Sequence, residues 1–224
     1  MGFMDFLKNN LGHVLPVLLC AVFAIAIIAD RIRALYFIYP LKNAKAFFDK
    51  INELVLAGKT GDAVALCDQY IKKPVARVVK TALLRAHLPE EAVEQGLALT
   101  VAEESRVIAK RTSFLATIAN VATLLGLFGT IAGLIASFEA VANADPQQKS
   151  AMLSAGIGAA MNATMLGLGV AIPCMVVFAV LMSKQNAITA EVEDSASKTI
   201  DLLKMRHYAS DPEEILEEHA EKAA

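Results

Sequence analysis

The sequence predicts an all-α protein with three transmembrane helices, in which long helices extend into a cytoplasmic helical region. Apolar residues make up 56% of the 224 residues, yet 20% of the residues are charged. The mean hydropathy is +0.49. Asp, Glu, Lys and Arg are missing from residues 9–29, 112–138 and 150–183. A spanning helix needs about 20 apolar residues, so each stretch can cross a bilayer. This segregation excludes a disordered chain, a collagen-like fibre and a disulfide scaffold.

The first span is assigned to residues 11–29, after a short segment, residues 1–10, that is predicted to be periplasmic. A cleaved signal peptide is the alternative for an apolar stretch so near the N-terminus. The leader, however, carries one Lys against one Asp, and the apolar run ends in the charged flank Asp30-Arg31-Ile32-Arg33. This pattern favours a retained helix that ends in a stop-transfer sequence.

Residues 30–111 are predicted to be cytoplasmic and helical, because their apolar residues recur at helix spacing. Gly58 and Gly61 are predicted to separate the first two helices of this region. Pro89-Glu90-Glu91 indicates a helix start, since Pro suits the first helical position and acidic side chains favour a helix N-terminus. No breaker follows, so one continuous helix is predicted from there through Arg111 into the second span. The apolar positions are Phe47, Phe48, Ile51, Leu54, Val55, Val64, Leu66, Cys67, Ile71, Val75, Val78, Val79 and Leu83.

Hydroxyl side chains line one face of the second span, residues 112–138. Thr123, Thr130 and Ser137 recur at intervals of seven residues. Seven residues are nearly two helical turns, so the three hydroxyls share a face that drifts by only about 20° per heptad. The small residues Gly126 and Gly133 border this face.

A second small-residue stripe runs along the third span, residues 156–183, which follows a predicted periplasmic turn at residues 139–155. Asn162 lies roughly opposite Thr164 on this helix and needs a polar partner, for which a neighbouring subunit is the natural candidate. Pro173 is predicted to loosen or kink the helix. Residues 184–224 form the predicted cytoplasmic tail. The stripe consists of Gly156, Ala160, Ala163, Thr164, Gly167 and Ala171.

The two stripes admit two interpretations. Small residues let helix backbones approach closely, which drives helix association in lipid, so the stripes could serve packing alone, with each hydroxyl bonded to its own helix. Alternatively, they line an interior that holds water or another helix. Neither span has a carboxylate, Lys, Arg or His in its core. Any proton pathway along these helices would therefore need a carboxylate that another protein supplies.

The distribution of basic residues predicts the orientation in the membrane. Residues 30–111 hold fourteen of the 21 Lys and Arg residues, and the tail holds five more. The first ten residues and the turn between the second and third spans hold one each. Because basic loops stay in the cytoplasm, the N-terminus and this turn are predicted to face the periplasm and the C-terminus the cytoplasm.

Several classes of function lack a signature in this sequence. The net charge of −2 gives no basic patch for a nucleic acid. Cys20, Cys67 and Cys174 are far apart, so neither a metal site nor a disulfide framework is indicated. The triplet Gly58-Lys59-Thr60 ends like a phosphate-binding loop, but Glu53 stands where that motif requires glycine. No cofactor and no enzymatic activity are predicted.

Two membrane motifs resemble the MotA/TolQ/ExbB proton-channel family. Residues 127–133, LFGTIAG, followed by Ser137-Phe138, resemble the family's LFGTVxGIxxSF signature. Residues 156–168 and the following Ala171-Ile172-Pro173 resemble its GIxxALxATxxGLxxAIP segment. More loosely, the stretches GD, ALC and PVA between residues 61 and 76 resemble the family's cytoplasmic pattern. Three spans rather than four place the chain near the TolQ and ExbB branch.

The resemblance implies a homopentamer in the bacterial inner membrane. Its second and third helices would surround two copies of a single-span TolR/ExbD/MotB-like protein whose transmembrane helix carries an aspartate. Proton passage would neutralise and recharge that aspartate and so drive work on a TonB/TolA-like or other envelope effector. Carried over by position, Thr130 and Thr164 are the polar residues that face the aspartate.

The chain departs from the family pattern at Ala159, where the TolQ and ExbB pattern has glutamate. Asn162 also stands where the family more often has an apolar residue. Both departures indicate a divergent member, serving gliding or another envelope process. A structural membrane scaffold without ion conduction is the competing hypothesis. A small-solute transporter is disfavoured, because the sequence shows no internal repeat.

Overall fold

All regular elements in the part of the chain that the structure describes are helices. The structure, a computed structural model, describes residues 11–41, 43–142 and 144–210. Three of its helices are long and apolar enough to cross a membrane, which confirms the predicted fold class. The elements are α1 (Leu11–Ile32), a π-helical turn (Arg33–Ile38), α2 (Ala44–Leu56), α3 (Thr60–Gln69), α4 (Pro74–Leu84), α5 (Glu90–Ala109), α6 (Ser113–Ala142) and α7 (Lys149–Ser210).

The chain folds as two compact units. The membrane unit contains the described residues up to Ile32 together with residues 111–183, and the extramembrane unit contains residues 33–110 and the described residues after 183. The long helix α7 contributes to both. In the membrane unit every backbone N–H and C=O must be satisfied without water, which is why its spanning segments are helical.

In the membrane unit, α1 packs against α6 and also contacts α7. Helices α1 and α6 are in direct contact. Val14 of α1 and Ala163 of α7 form a buried cluster, against which Ala159 and Leu166 of α7 pack. Large apolar side chains cover the outer faces of these helices and remain exposed in the single chain, for example Phe23 at 63%. Such faces suit lipid or neighbouring membrane helices.

The extramembrane unit is built from successive helices, each of which packs on the next. Helix α2 contacts α3, α3 contacts α4, and α4 contacts α5. Phe47 of α2 is buried, and its ring lies 5.6 Å from the ring of Tyr70 in an edge-on arrangement. The other buried apolar side chains follow the predicted helical spacing and include Ile51, Val55, Cys67, Val75, Val78, Val79 and Leu83.

A bidentate ion pair links α4 to α5 inside this unit. Arg77 Nε donates to Glu104 Oε1 at 2.5 Å, and Arg77 Nη2 donates to Glu104 Oε2. Nη1 of the same guanidinium donates to the carbonyl of Ile71 at 3.1 Å. The side chain of Glu104 is only 9% exposed. A buried carboxylate needs such pairing, because desolvation penalises an unpaired charge.

The predicted continuous helix from Pro89 into the second span is wrong. Helix α5 ends at Ala109 and α6 begins at Ser113, because Arg111 between them adopts a left-handed backbone with φ 67°. The Nη1 atom of Arg111 lies 3.4 Å from Oδ2 of Asp30, which also accepts a hydrogen bond from Arg31. The break therefore occurs beside the charged end of α1.

The boundary between α2 and α3 and the length of α7 differ from the sequence-based expectations. Gly58, with φ 72°, separates α2 from α3 as predicted, but Gly61 lies within the first turn of α3. Beyond residue 183, α7 continues without interruption to Ser210, so the first part of the predicted tail is helical. Pro173 lies inside this uninterrupted helix. The kink that the sequence predicts at Pro173 stays a prediction.

Candidate functional site

Thr130 and Thr164 meet where α6 packs against α7. Their Oγ1 atoms are in hydrogen-bond contact, and either hydroxyl can donate to the other. Both side chains are half-buried in the single chain, so a third group can still approach them. The structure thus brings together the two residues that the resemblance assigns to the ion pathway, and their role there stays a prediction.

The hydroxyl of each threonine also lies within hydrogen-bond distance of a backbone carbonyl oxygen on the facing helix. The hydroxyl of Thr130 lies 3.1 Å from the carbonyl oxygen of Gly126 on its own helix and 3.4 Å from that of Ala160 on α7. The hydroxyl of Thr164 lies 3.3 Å from the same Gly126 oxygen. Gly126 precedes Thr130 by one helical turn, and Ala160 precedes Thr164 by one turn. Each hydroxyl can therefore donate to the carbonyl one turn before the other threonine.

Gly126 and Gly167 make these hydrogen bonds between the helices possible, because glycine lets the two helix backbones approach closely. A Cβ atom on Gly167 would lie 2.7 Å from the carbonyl oxygen of Ala122 and 2.8 Å from Cα of Gly126. A Cβ atom on Gly126 would lie 3.1 Å from Cα of Gly167. A methyl group at Gly167 would force the two backbones apart, whereas one at Gly126 would require a shift of a few tenths of an ångström. Gly126 and Gly167 thus set the helix spacing at the threonine pair.

Gly133 and Ala160 form a second close contact between the same helices. A Cβ atom on Gly133 would lie 3.2 Å from Cβ of Ala160. Towards the far end of α6, Ser137 is buried and packs against Gly156. The small-residue stripes therefore serve helix packing along this interface.

The other two hydroxyls of the heptad stripe are bonded within α6. Thr123 donates to the carbonyl of Ala119 at 3.0 Å, and Ser137 donates to that of Gly133 at 2.6 Å. Both are hydrogen bonds to the residue one turn earlier, which helical Ser and Thr commonly make. For Thr123 and Ser137 the structure thus agrees with packing, whereas Thr130 of this stripe also hydrogen-bonds to α7.

Asn162 and Ala159 occupy different surroundings. Asn162 is half-buried, and no hydrogen bond joins its side chain to another residue of the described chain. Ala159 packs against the cluster of Val14 and Ala163. An apolar residue suits that position, because an ionised glutamate there would lie against apolar side chains.

Sequence reasoning missed the acceptor that both threonines share. It placed Gly126 at the border of the hydroxyl face but assigned no role to its carbonyl group. The spacing of four residues between Gly126 and Thr130 is the signal that could have indicated it, since helical threonine hydroxyls commonly donate to the carbonyl one turn back. That Thr164 reaches the same oxygen depends on the helix spacing and has no sequence signature.

The extramembrane unit holds a groove of about 250 Å³ between the start of α5 and the end of α7. Nζ of Lys204 lies 2.5 Å from a carboxylate oxygen of Glu90 and 3.3 Å from one of Glu94. These hydrogen bonds raise the pKa of the Lys204 ammonium. Among the described residues, no group of three His, Cys, Asp or Glu is placed to hold a metal ion.

The chain is similar to known proteins over most of its length. Residues 67–194 match the family described as the MotA/TolQ/ExbB proton channel family. The Tol-Pal system protein TolQ of Haemophilus influenzae is 30% identical over 84% of this chain and 87% of that protein. The biopolymer transport protein ExbB of Pseudomonas putida is 34% identical over 50% of this chain and 33% of that protein. Its counterpart in Salmonella typhimurium is 32% identical over 45% of this chain and 41% of that protein.

Proposed function

Because the chain belongs to the MotA/TolQ/ExbB proton channel family, on its three-helix TolQ/ExbB branch, we propose that it is the stator subunit of a proton-driven envelope motor. TolQ and ExbB proteins are energising channel subunits and not enzymes, and this chain is a multi-pass inner-membrane protein of that kind. In the proposed assembly, five copies surround two single-span TolR/ExbD/MotB-like helices. Each of those helices carries a transmembrane aspartate.

The hydroxyl pair of Thr130 and Thr164 is the observation that carries this proposal. It lies in a helix pair whose spanning segments contain no Asp, Glu, Lys or Arg. A hydroxyl can donate to a carboxylate and accept from a carboxylic acid, so the pair suits a partner aspartate in both protonation states. A proton that crosses the membrane would neutralise the aspartate and then leave it, and the change in charge would move the partner relative to the ring.

The orientation completes the proposal. The N-terminus and the turn between α6 and α7 face the periplasm, whereas the extramembrane unit faces the cytoplasm, as the excess of basic residues in that unit favours. Work would be delivered on the periplasmic side to a TonB/TolA-like or other envelope effector, including one that serves gliding.

Substitution of the threonines by valine tests the proposal, because valine keeps the shape and removes the hydroxyl. Thr130→Val and Thr164→Val should each lower proton uptake into vesicles that contain the complex by about tenfold or more, since a hydrogen bond to a charged group contributes about 1.5–3 kcal/mol. Thr123→Val is the matched control, because its hydroxyl also bonds within α6 but does not reach α7. It should leave uptake unchanged.

The competing function is a structural scaffold, which the glycine contacts between α6 and α7 and the internal hydrogen bonds of Thr123 and Ser137 favour. A scaffold does not conduct protons, so the threonine substitutions would not change proton uptake. If vesicles with the purified complex show the same uptake for the wild type and both valine variants, the motor proposal is wrong. Native mass spectrometry of the same complex measures whether five copies surround two partners.

A further inference from the structure

Both hydrogens of the threonine pair already have acceptors within the membrane unit. Each hydroxyl has one hydrogen to donate and two lone pairs that accept. If Thr164 donates to Thr130, the hydrogen of Thr130 points at the carbonyl of Gly126 or Ala160. If Thr130 donates to Thr164, the hydrogen of Thr164 points at the same Gly126 carbonyl. In either arrangement the pair presents lone pairs to a third group.

We propose that Gly126 and Gly167 are positioning residues that hold this pair as a hydrogen-bond acceptor, so that the site receives the partner carboxyl in its neutral, protonated form. The inference rests on the proposed function, in which a partner aspartate reaches the pair. A carboxylic acid donates its hydrogen to a hydroxyl lone pair directly. A carboxylate has only acceptors, so it must compete with the Gly126 carbonyl for a hydroxyl hydrogen.

The order of events follows from this geometry. The proton binds the partner aspartate first, and the neutral acid then docks on the threonines. When the acid releases its proton, one hydroxyl turns from the Gly126 carbonyl towards the new carboxylate. The carbonyl that loses this hydrogen still accepts the backbone hydrogen bond of its own helix, so it is not left unsatisfied.

The glycines matter because the arrangement depends on the helix spacing. The hydrogen bond from Thr164 to Gly126 crosses between helices at 3.3 Å, and a small separation of α6 from α7 would break it. An added Cβ on Gly167 would meet backbone atoms at 2.7 and 2.8 Å. Backbone cannot turn aside as a flexible side chain can, so the helices must separate. The hydroxyl of Thr164 is then free to donate outwards.

The partner carboxyl is the group whose titration this geometry governs. The spanning parts of α1, α6 and α7 contain no Asp, Glu, Lys or Arg. The titratable side chains within the spans are His13, Cys20 and Cys174, and the charged residues at their ends are Asp30, Arg31, Arg111, Glu139, Lys149 and Lys184.

Carbodiimide labelling of the complex tests the inference. Dicyclohexylcarbodiimide reacts with protonated carboxyl groups, so the pH of half-maximal labelling of the partner peptide reports its protonation. In Gly126→Ala and Gly167→Ala the freed hydroxyl stabilises the carboxylate, so protonation requires a lower pH. We expect the midpoint to fall by about one pH unit or more, the effect of one hydrogen bond to the carboxylate.

Two glycines of α7 provide matched controls. A Cβ on Gly158 or Gly169 meets no atom within 4 Å, so Gly158→Ala and Gly169→Ala make the same chemical change without separating the helices. Their midpoints should equal that of the wild type. If Gly167→Ala does not assemble, Gly126→Ala carries the test, because its Cβ would meet no atom closer than 3.1 Å.

The inference is overturned if the assembled Gly126→Ala and Gly167→Ala complexes keep the wild-type midpoint, or if all four glycine variants shift alike. Its failure is distinguishable from that of the proposed function. Thr130→Val and Thr164→Val with full proton uptake would refute the function, whereas a loss of uptake in these variants together with an unchanged midpoint in the glycine variants refutes only the positioning role.

Discussion

Cys67 shows how burial controls the chemistry of a single residue. Its side chain is 0% exposed between helices of the extramembrane unit. Burial and, to a smaller extent, the negative charge of the neighbouring Asp68 raise the pKa of its thiol to about 12. A thiol in such surroundings packs as a small apolar group and is chemically inert. The wide spacing of the three cysteines indicated no metal or disulfide role, but the sequence could not show how strongly this thiol is shielded.

We therefore expect Cys67 to resist alkylation in the folded protein. A pKa of about 12 in place of 9.0 lowers the thiolate fraction at a given pH by about a thousandfold. In a variant without Cys20 and Cys174, iodoacetamide at pH 8 should label Cys67 only after denaturation, as measured by mass spectrometry. A cysteine at the exposed position Gln69 on the same helix is the control and should react at once. Rapid labelling of native Cys67 would contradict this account.

The threonine pair marks the limit of prediction for single residues. The heptad spacing placed Thr130 on a hydroxyl face, and the resemblance paired it with Thr164. The contact between their hydroxyls depends on the separation of two helices, which Gly126 and Gly167 set through backbone contact. Helix periodicity describes the faces of one helix and does not give the distance to another.

At the scale of elements, apolar spacing predicted the helices well and missed the features that depend on other forces. The positions from Phe47 to Leu83 recur with helical spacing, and all but one lie on α2, α3 and α4; Ile71 instead lies in the turn between α3 and α4 and is exposed. The break between α5 and α6 was missed because residues 110–112, Lys-Arg-Thr, include neither Gly nor Pro. A left-handed arginine is uncommon, and nothing in the local sequence indicates it. The π-helical turn after α1 was missed for the same reason.

The ion pair between α4 and α5 is expected to stabilise the packing of these two helices. Glu104→Gln leaves Arg77 without its carboxylate, and we expect the free energy of local opening of α4 and α5 to fall by about 2–3 kcal/mol, since loss of one partner leaves a buried charge uncompensated. The estimate is below that for a fully buried pair because the Arg77 side chain is 30% exposed. Amide hydrogen exchange of the two helices measures the change.

The control for this prediction is Lys80→Gln. Lys80 pairs with Asp68 at 2.5 Å, but the side chain of Asp68 is 50% exposed, and exposed pairs contribute only about 0–1 kcal/mol. If Glu104→Gln changes exchange no more than Lys80→Gln does, the buried pair has no special structural role.

At the scale of the whole molecule, charge-free stretches and apolar spacing predicted the all-helical class and the three spans. A membrane imposes a simple rule on sequence, because charged groups are costly within it and spanning backbone must be helical. The division into a membrane unit and an extramembrane unit follows the same boundary between apolar and charged segments. The composition of an assembly has no such signature in one chain, which is why the five copies and their partner are proposals.

The proposed orientation predicts which loops are accessible from outside the cell. In a background without native cysteines, a cysteine in place of Gln147, in the turn between α6 and α7, should react with a membrane-impermeant maleimide in intact cells. A cysteine in place of Gln69 should react only after lysis. Both positions are exposed, so a difference in labelling reports the side of the membrane. The reverse pattern would show that the charge distribution misassigned the topology.

The hydroxyl pair described above is carried entirely by one polypeptide. In the proposed ring of several copies, this has a genetic consequence. A cell that expresses a Thr130→Val allele together with a Thr164→Val allele contains no chain with both hydroxyls, so the two defects cannot complement each other. When either allele is expressed together with the wild type, the number of intact threonine pairs in each ring equals its number of wild-type chains. The strength of the phenotype should therefore depend on gene dosage.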